Sequence, residues 1–398
     1  MARGSDWRAI RARVLRFVES EVYPVEARLD DAPFADWIKL MRPLMERAKA
    51  EGLWALGHPK EIGGQGLPFL DYVHVNEVIG RSEHAMTALG THSLQDSIML
   101  HLFAAGEVRE RFLGPLVRGE IFPSVGLTEP DVASSDPTQL ETTARLDGGQ
   151  WVITGRKWFT TWASRAAFTT VFARTEGAET PGHAAFSMIV VPTDTPGYTI
   201  LRETPVLGMA GAHCEVEYRE VRVPAHYLIG RRGEGFKIAQ KRLGPGRIFH
   251  CMRWLGQAQR AFDLMCRRAN RRKAFGSRLA DKQLVQKMVF DSAAEIQACR
   301  LLTLDAARKL DQGDEARAEI GLIKVVGARM VHDVIDRAIQ VHGAMGVTPD
   351  TPLERMYRHA RFARIYDGPD EVHIQTVGRR LLAAYAQGGG WDFGDRDA

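Results

Sequence analysis

The sequence predicts an α+β chain of several domains: helices first, then a β domain, then a helical bundle. Three observations carry that reading. Apolar residues recur at helical spacing through about the first 120 positions, short segments rich in Val, Ile, Thr, Phe and Trp begin at Trp151, and helical spacing returns after Gly235. The boundaries follow as 1–122 for the N-terminal helical domain, 123–230 for the β domain, 231–388 for the bundle and 389–398 for a tail.

Trp7, Ile10, Val14, Phe17 and Val18 form one face of a first helix over 7–22, with Arg and Glu between them and Pro24 as its expected end. Helical patterns recur over 36–52, 70–88, 93–104 and 107–118. The glycine-rich stretch from Pro59 to Pro68 lacks a Lys-Ser/Thr end and is not a phosphate loop. Strands are expected over 151–162, 167–174, 184–192 and 214–223, where Val216 and Tyr218, then Val221 and Val223, alternate with charged residues. Helices follow over 235–273, 281–311, 314–345 and 370–387. Gly244-Pro245-Gly246 should kink or break the first of these, and Ile320, Ile323, Val331, Val334, Ala338 and Val341 give the third a bundle stripe.

Composition narrows the class. The 398 residues are 45% hydrophobic and 26% charged, as in an ordinary globular protein. A net charge of +4 is too balanced to point to nucleic acid, no apolar run is long enough for a membrane span, and the N-terminus has no apolar signal core. Cys214, Cys251, Cys266 and Cys299 show no paired ligand spacing, so a reducing, cytoplasmic setting and no metal site are expected.

Four stretches could carry chemistry. In Ile365-Tyr-Asp-Gly-Pro-Asp-Glu-Val-His373, Gly368 suits a helix N-cap, Pro369 the first helical position, and Asp370 and Glu371 the first turn. Asp367 lies just outside, where a carboxylate can face an apolar cleft and act as a base, or can simply close a turn on its own backbone. Gly126-Leu-Thr-Glu-Pro-Asp-Val-Ala-Ser-Ser-Asp136 could bond a planar, carbonyl-rich ring or a phosphate, or be a surface turn. Gly155-Arg-Lys-Trp-Phe-Thr-Thr161 could lay Trp158 on a cofactor ring with a threonine hydroxyl nearby, or be aromatic core. Arg271-Arg-Lys-Ala-Phe-Gly276, with Arg267 and Arg268, suits a helix C-terminus, a pyrophosphate or a nucleic acid, although the aromatic interleaving of a single-strand binder is missing.

Taken in order, Thr-Glu-Pro-Asp before the β domain, Gly-Arg-Lys-Trp-Phe-Thr inside it, Arg-Lys-Ala-Phe-Gly and Gln340-Val-His-Gly-Ala in the bundle, and Ile-Tyr-Asp-Gly near the end resemble the acyl-CoA dehydrogenase family. The resemblance covers about residues 10–385, and the forms of the first and last motifs look most like the branch of family members 10 and 11. It implies an antiparallel, barrel-like β domain, a four-helix C-terminal bundle and flavin adenine dinucleotide (FAD) held between them. Leu127 and Thr128 would meet the pyrimidine side of the flavin, Ser134 would lie by the cofactor phosphate and the substrate, and Trp158 with Thr160 would cover the ring near N5. Arg272, Phe275, Gln283, Gln340 and Gly343 would reach the cofactor of a neighbouring subunit, implying a homodimer or homotetramer. Pro369 and Glu371 occupy the positions where relatives place Thr and Gln against the adenosine part.

The resemblance further implies an acyl-CoA substrate and an electron-transfer flavoprotein as partner, with formation of a trans-2-enoyl-CoA. Asp367 stands where most relatives have a catalytic Glu, with its own backbone N–H aimed at the thioester carbonyl. Gly368 and Arg247 complete the substrate side. Some relatives carry the base beside that Arg instead, but here Gly244 and Gly246 stand there and leave the role to Asp367. A flavin enzyme that uses oxygen, of monooxygenase or nitroalkane oxidase type, is the second reading; a binding protein on the same scaffold is the third, and the acidic tail after the last helix argues against nucleic acid.

Overall fold

The computed structural model describes residues 6–30, 32–177, 179–180 and 182–393. They form two compact units, one comprising the chain up to Tyr72 together with Ser82–Leu243, the other Val73–Arg81 together with the chain from Gly244 onward.

The N-terminal helices are α1 (Trp7–Phe17), α2 (Tyr23–Asp30), α3 (Phe34–Ala50), α4 (Phe69–Ile79), α5 (Ala85–Ala88), α6 (Leu94–Phe103), α7 (Gly106–Val108) and α8 (Gly114–Arg118). Val14, Phe17 and Val18 are buried, as the first stripe requires. The chain does not stop at Pro24. A π turn over Val18–Val22 carries it into α2, with the Tyr23 N–H reaching the carbonyl of Val18 five residues back. The wider turn makes room for a proline ring that would otherwise press on the carbonyl four residues earlier.

The β domain is one sheet of β1 (Pro123–Gly126), β2 (Thr143–Asp147), β3 (Gln150–Thr161), β4 (Phe168–Arg174), β5 (Phe186–Pro192), β6 (Tyr198–Glu203), β7 (His213–Pro224) and β8 (Leu228–Ile229). The order is β6-β7-β3-β2-β4-β5-β8, with β1 beside β4. The sheet is mixed rather than wholly antiparallel, because β1 runs parallel to β4 and Thr143 of β2 pairs in parallel with Arg174. Every residue of β5 is buried, and Phe168, Val171, Phe172, Phe186, Ile189 and Val191 belong to its core.

Two bulges shape the β3–β7 pair. Pairing steps from Gly155↔Tyr218 to Ile153↔Val221, so β7 carries an extra residue there, with Glu220 at φ 48°. That slip returns Val221 and Val223 to the face of Val216 and Tyr218, all four buried. Between Lys157↔Val216 and Thr160↔Cys214 the extra residue falls on β3, with Phe159 at φ 50°.

The C-terminal helices are α9 (Gly235–Arg271), α10 (Gln283–Asp311), α11 (Arg317–His342), α12 (Leu353–Phe362) and α13 (Asp370–Ala386). Gly244-Pro245-Gly246 does not break α9, which runs through Pro245. The flanking glycines supply the backbone latitude that a proline inside a helix needs. A two-residue turn, Phe275 at φ 50° and Gly276 at φ 78°, joins β9 (Lys273–Ala274) to β10 (Ser277–Arg278). All six stripe residues of α11 are buried. Pro369 is the N-cap of α13 rather than its first helical residue, so Asp370 opens the helix. Among the described residues no helix is long and apolar enough to cross a membrane, and no group of His, Cys, Asp and Glu could hold a metal ion. All four cysteines are free thiols.

Candidate active site

In the first unit the β3 bulge organises one cluster. With Trp158 and Phe159 out of the ladder, the Trp158 N–H turns to the carbonyl of Thr128 at 3.0 Å, and the Thr128 hydroxyl donates to the Trp158 carbonyl at 2.7 Å. Below them Lys157, fully buried, donates to the Leu127 carbonyl at 2.9 Å and to Glu129 Oε1 at 2.8 Å. Glu129 also accepts the N–H groups of Glu141 (2.7 Å) and Thr142 (3.0 Å). Burial opposes the charge on each partner. It draws Lys157 down to about 8 against the pull of Glu129, whereas Lys157 and the hydrogen bonds outweigh it at Glu129 and hold that carboxyl below its usual range.

The same brace shapes the hydroxyl-rich loop. The Ser134 hydroxyl accepts the Glu129 N–H at 2.8 Å, folding Glu129–Ser134 into a tight turn. Leu127, Thr128, Ser134 and Trp158 are half-buried, and Thr160 is fully buried. The Thr160 hydroxyl finds no partner among the described residues. An orphaned hydroxyl costs about 1–3 kcal/mol, so a ligand carrying ring nitrogens and oxygens would suit it. These five expected residues are thus brought together on one loop and one bulged strand.

The second unit holds the expected base. Asp367 has φ 54° and Gly368 φ 96°, so the chain reverses sharply before α13. A Cβ on Gly368 would come within 2.7 Å of His373 Nε2, so both conformation and space call for glycine. The Asp367 carbonyl accepts from Arg247 Nε at 3.2 Å and from His373 Nε2 at 3.1 Å. Lys324, fully buried, donates to the carbonyls of Ala363 (2.8 Å) and Gly368 (3.2 Å). Asp370 is held by Arg329 Nε at 3.2 Å and Arg364 Nε at 2.9 Å.

The Asp367 side chain is 26% exposed, and its Oδ2 lies 3.1 Å from His250 Nε2. Its surroundings are cationic and polar rather than the apolar cleft expected. Burial lowers Arg247 and Lys324, while the charge of Asp367 raises both. Burial also lowers His373, to about 4, so its ring is neutral and donates through Nε2.

Sequence reasoning missed His250, Lys324 and His373. Spacing offered one clue, because Arg247, His250 and Trp254 share a face of α9. The structure brings Arg247, Asp367 and Gly368 together as expected. Pro369 and Glu371 follow at the start of α13, and Glu371 is exposed. Arg272, Phe275, Gln283, Gln340 and Gly343 are all exposed, Phe275 at 99%.

Three family models match the chain: acyl-CoA dehydrogenase N-terminal domain over residues 5–120, middle domain over 124–221 and C-terminal domain over 233–382. The chain is 45% identical over 388 residues to "Probable acyl-CoA dehydrogenase FadE2" of Mycobacterium tuberculosis, covering 94% of each. It is 38% identical over 396 residues to acyl-CoA dehydrogenase family member 11 of Rattus norvegicus, covering 95% of this chain and 50% of that one, so it spans about half that relative's length. A solved structure from Mycobacterium abscessus superposes with a TM-score of 0.91 at 36% identity, covering 97% of this chain and 100% of the other.

Proposed function

Because the chain belongs to the acyl-CoA dehydrogenase family, an oxidoreductase family whose three domain models it matches, we propose that it dehydrogenates an acyl-CoA thioester across Cα and Cβ. The product is the trans-2-enoyl-CoA, and the electrons pass to an electron-transfer flavoprotein. Bound FAD supplies the hydride acceptor. Leu127, Thr128, Ser134, Trp158 and Thr160 fit its ring and linker, because one loop and one bulge gather them and Thr160 offers a hydroxyl with no partner among the described residues.

Asp367 takes the α-proton, and Arg247 with Gly368 lines the substrate side. Arg272, Phe275, Gln283, Gln340 and Gly343, all exposed, serve the cofactor of a neighbouring copy in a dimer or tetramer. Pro369 and Glu371 stand toward the adenosine part. The observation that carries the reading is the setting of Asp367: a carboxylate on a left-handed turn, bonded to an imidazole, with its own carbonyl pinned by Arg247 and His373. A base fixed in this way meets the positional demand of proton abstraction from carbon.

Asp367→Asn should leave a yellow protein and reduce turnover by at least about a thousandfold, since an amide cannot take the proton. Anaerobic titration with a panel of acyl-CoAs, following flavin bleaching, checks it. Retained bleaching by Asp367→Asn would refute the assigned role.

A further inference from the structure

We propose that His250 is a tautomer-locked positioning residue: Arg253 caps its Nδ1, so the neutral ring keeps its one proton on Nε2 and donates it to the Asp367 carboxylate. Arg253 Nη2 lies 2.8 Å from His250 Nδ1, and His250 Nε2 lies 3.1 Å from Asp367 Oδ2. A guanidinium only donates, so Nδ1 must present its lone pair. The opposite tautomer would set an N–H against the guanidinium and a lone pair against the carboxylate. The imidazolium would likewise place an N–H against Arg253.

The ring cannot easily turn away. It packs against Tyr366 (centroids 5.0 Å apart) and Trp254 (6.0 Å), and Trp254 Nε1 donates to the Tyr366 hydroxyl at 2.9 Å. The charged and titratable groups around the pair are Arg247, Cys251 and Arg253 on α9, Lys324 on α11, Tyr366 in the loop, and Asp370 and His373 on α13. Burial lowers His250 first and Arg253 lowers it further, with Asp367 acting in the opposite direction.

Two consequences follow, the second resting on the function proposed above. The one lone pair of His250, on Nδ1, is occupied by Arg253, so the ring is not an alternative base. Its N–H favours the ionised carboxylate over the protonated one and fixes the carboxylate plane.

Magic-angle-spinning ¹⁵N spectra of histidine-labelled wild-type protein, with the His250 signals assigned by their loss in His250→Gln, read the tautomer directly. A neutral ring protonated on Nε2 is expected between about pH 7 and 8, and Arg253→Met, by freeing Nδ1 to take a proton, should raise the pH at which the imidazolium forms. An imidazolium or an Nδ1-protonated ring in the wild type over that range, or an Arg253→Met titration identical to the wild type's, would overturn the proposal. In kinetics, His250→Phe should lose about tenfold in kcat/KM and move the acid limb to higher pH, whereas glutamine, able to accept from Arg253 and donate to Asp367, should recover most of both. A wild-type pH profile in His250→Phe would sink the catalytic consequence. If that variant does not fold, the wild-type and Arg253→Met spectra still decide the lock. Failure of the lock is distinct from failure of the dehydrogenase reading, which Asp367→Asn tests separately.

Discussion

Gly368 shows how tightly single residues are constrained beside Asp367. Its φ of 96° and the 2.7 Å approach to His373 leave no place for a side chain. Gly368→Ala should therefore cost about 1–3 kcal/mol of stability and reduce kcat/KM, because the ring it displaces also holds the Asp367 carbonyl. Denaturant unfolding and steady-state kinetics check this, and a wild-type-like variant would contradict it. The place of Asp367 was legible because Gly-Pro-Asp-Glu marks a helix start with a carboxylate just outside it, whereas a part in chemistry was favoured only by the family resemblance. His250 was not legible, because its role arises from a loop more than a hundred positions away, and a histidine among apolar helix residues looks like core.

At the scale of elements, the paired Lys157 and Glu129 join a strand to a loop that neither could shape alone. Replacing one partner leaves the other charge buried, so Lys157→Met should destabilise the protein by roughly 3–5 kcal/mol and loosen flavin retention. The double variant Lys157→Met with Glu129→Gln should recover part of the stability. Urea unfolding and flavin release measure the two effects, and an unaltered Lys157→Met would remove the brace from the account. The β7 bulge leaves a trace in the sequence, where the apolar set steps from Tyr218 to Val221, but the alternation by itself reads as one unbroken strand and only the pairing shows the extra residue. Six strands could not be read at all: β1, β8, β9 and β10 are too short to show a period, and β2 and β6 are largely exposed. Helix α12 escaped notice because Glu354, Arg355, Arg358, His359 and Arg361 leave few apolar positions to betray it.

For the whole molecule, much of the pH dependence between about 4 and 6.5 should come from two buried histidines, one in each compact unit. Burial lowers His58 and His373 to about 4. Both folded values lie below the unfolded one, so the unfolded chain binds more protons between about 4 and 6.5 and stability falls as pH drops through that window. Each contributes a slope of up to about 1.4 kcal/mol per pH unit. Unfolding midpoints from pH 7 to about 4.5 should fall accordingly, and His58→Gln should flatten part of the slope; a flat wild-type profile would contradict the account. The order of regions was legible because the apolar period changes twice. The division into compact units was not, because Val73–Arg81 joins the later helices through close approaches that no local pattern encodes. A Cβ on Gly80 would meet Arg253 Cα at 2.2 Å, and one on Gly256 the Glu77 carbonyl oxygen at 1.9 Å.

Lys324 carries a final consequence. Thioesters acylate unprotonated amines, and burial shifts this lysine toward that reactive form. Yet its ammonium has no exposed surface and is held by two carbonyls, so a passing activated acyl group meets Lys237 or Lys273 at the surface instead. The cation beside Asp367 is thereby shielded from activated acyl groups.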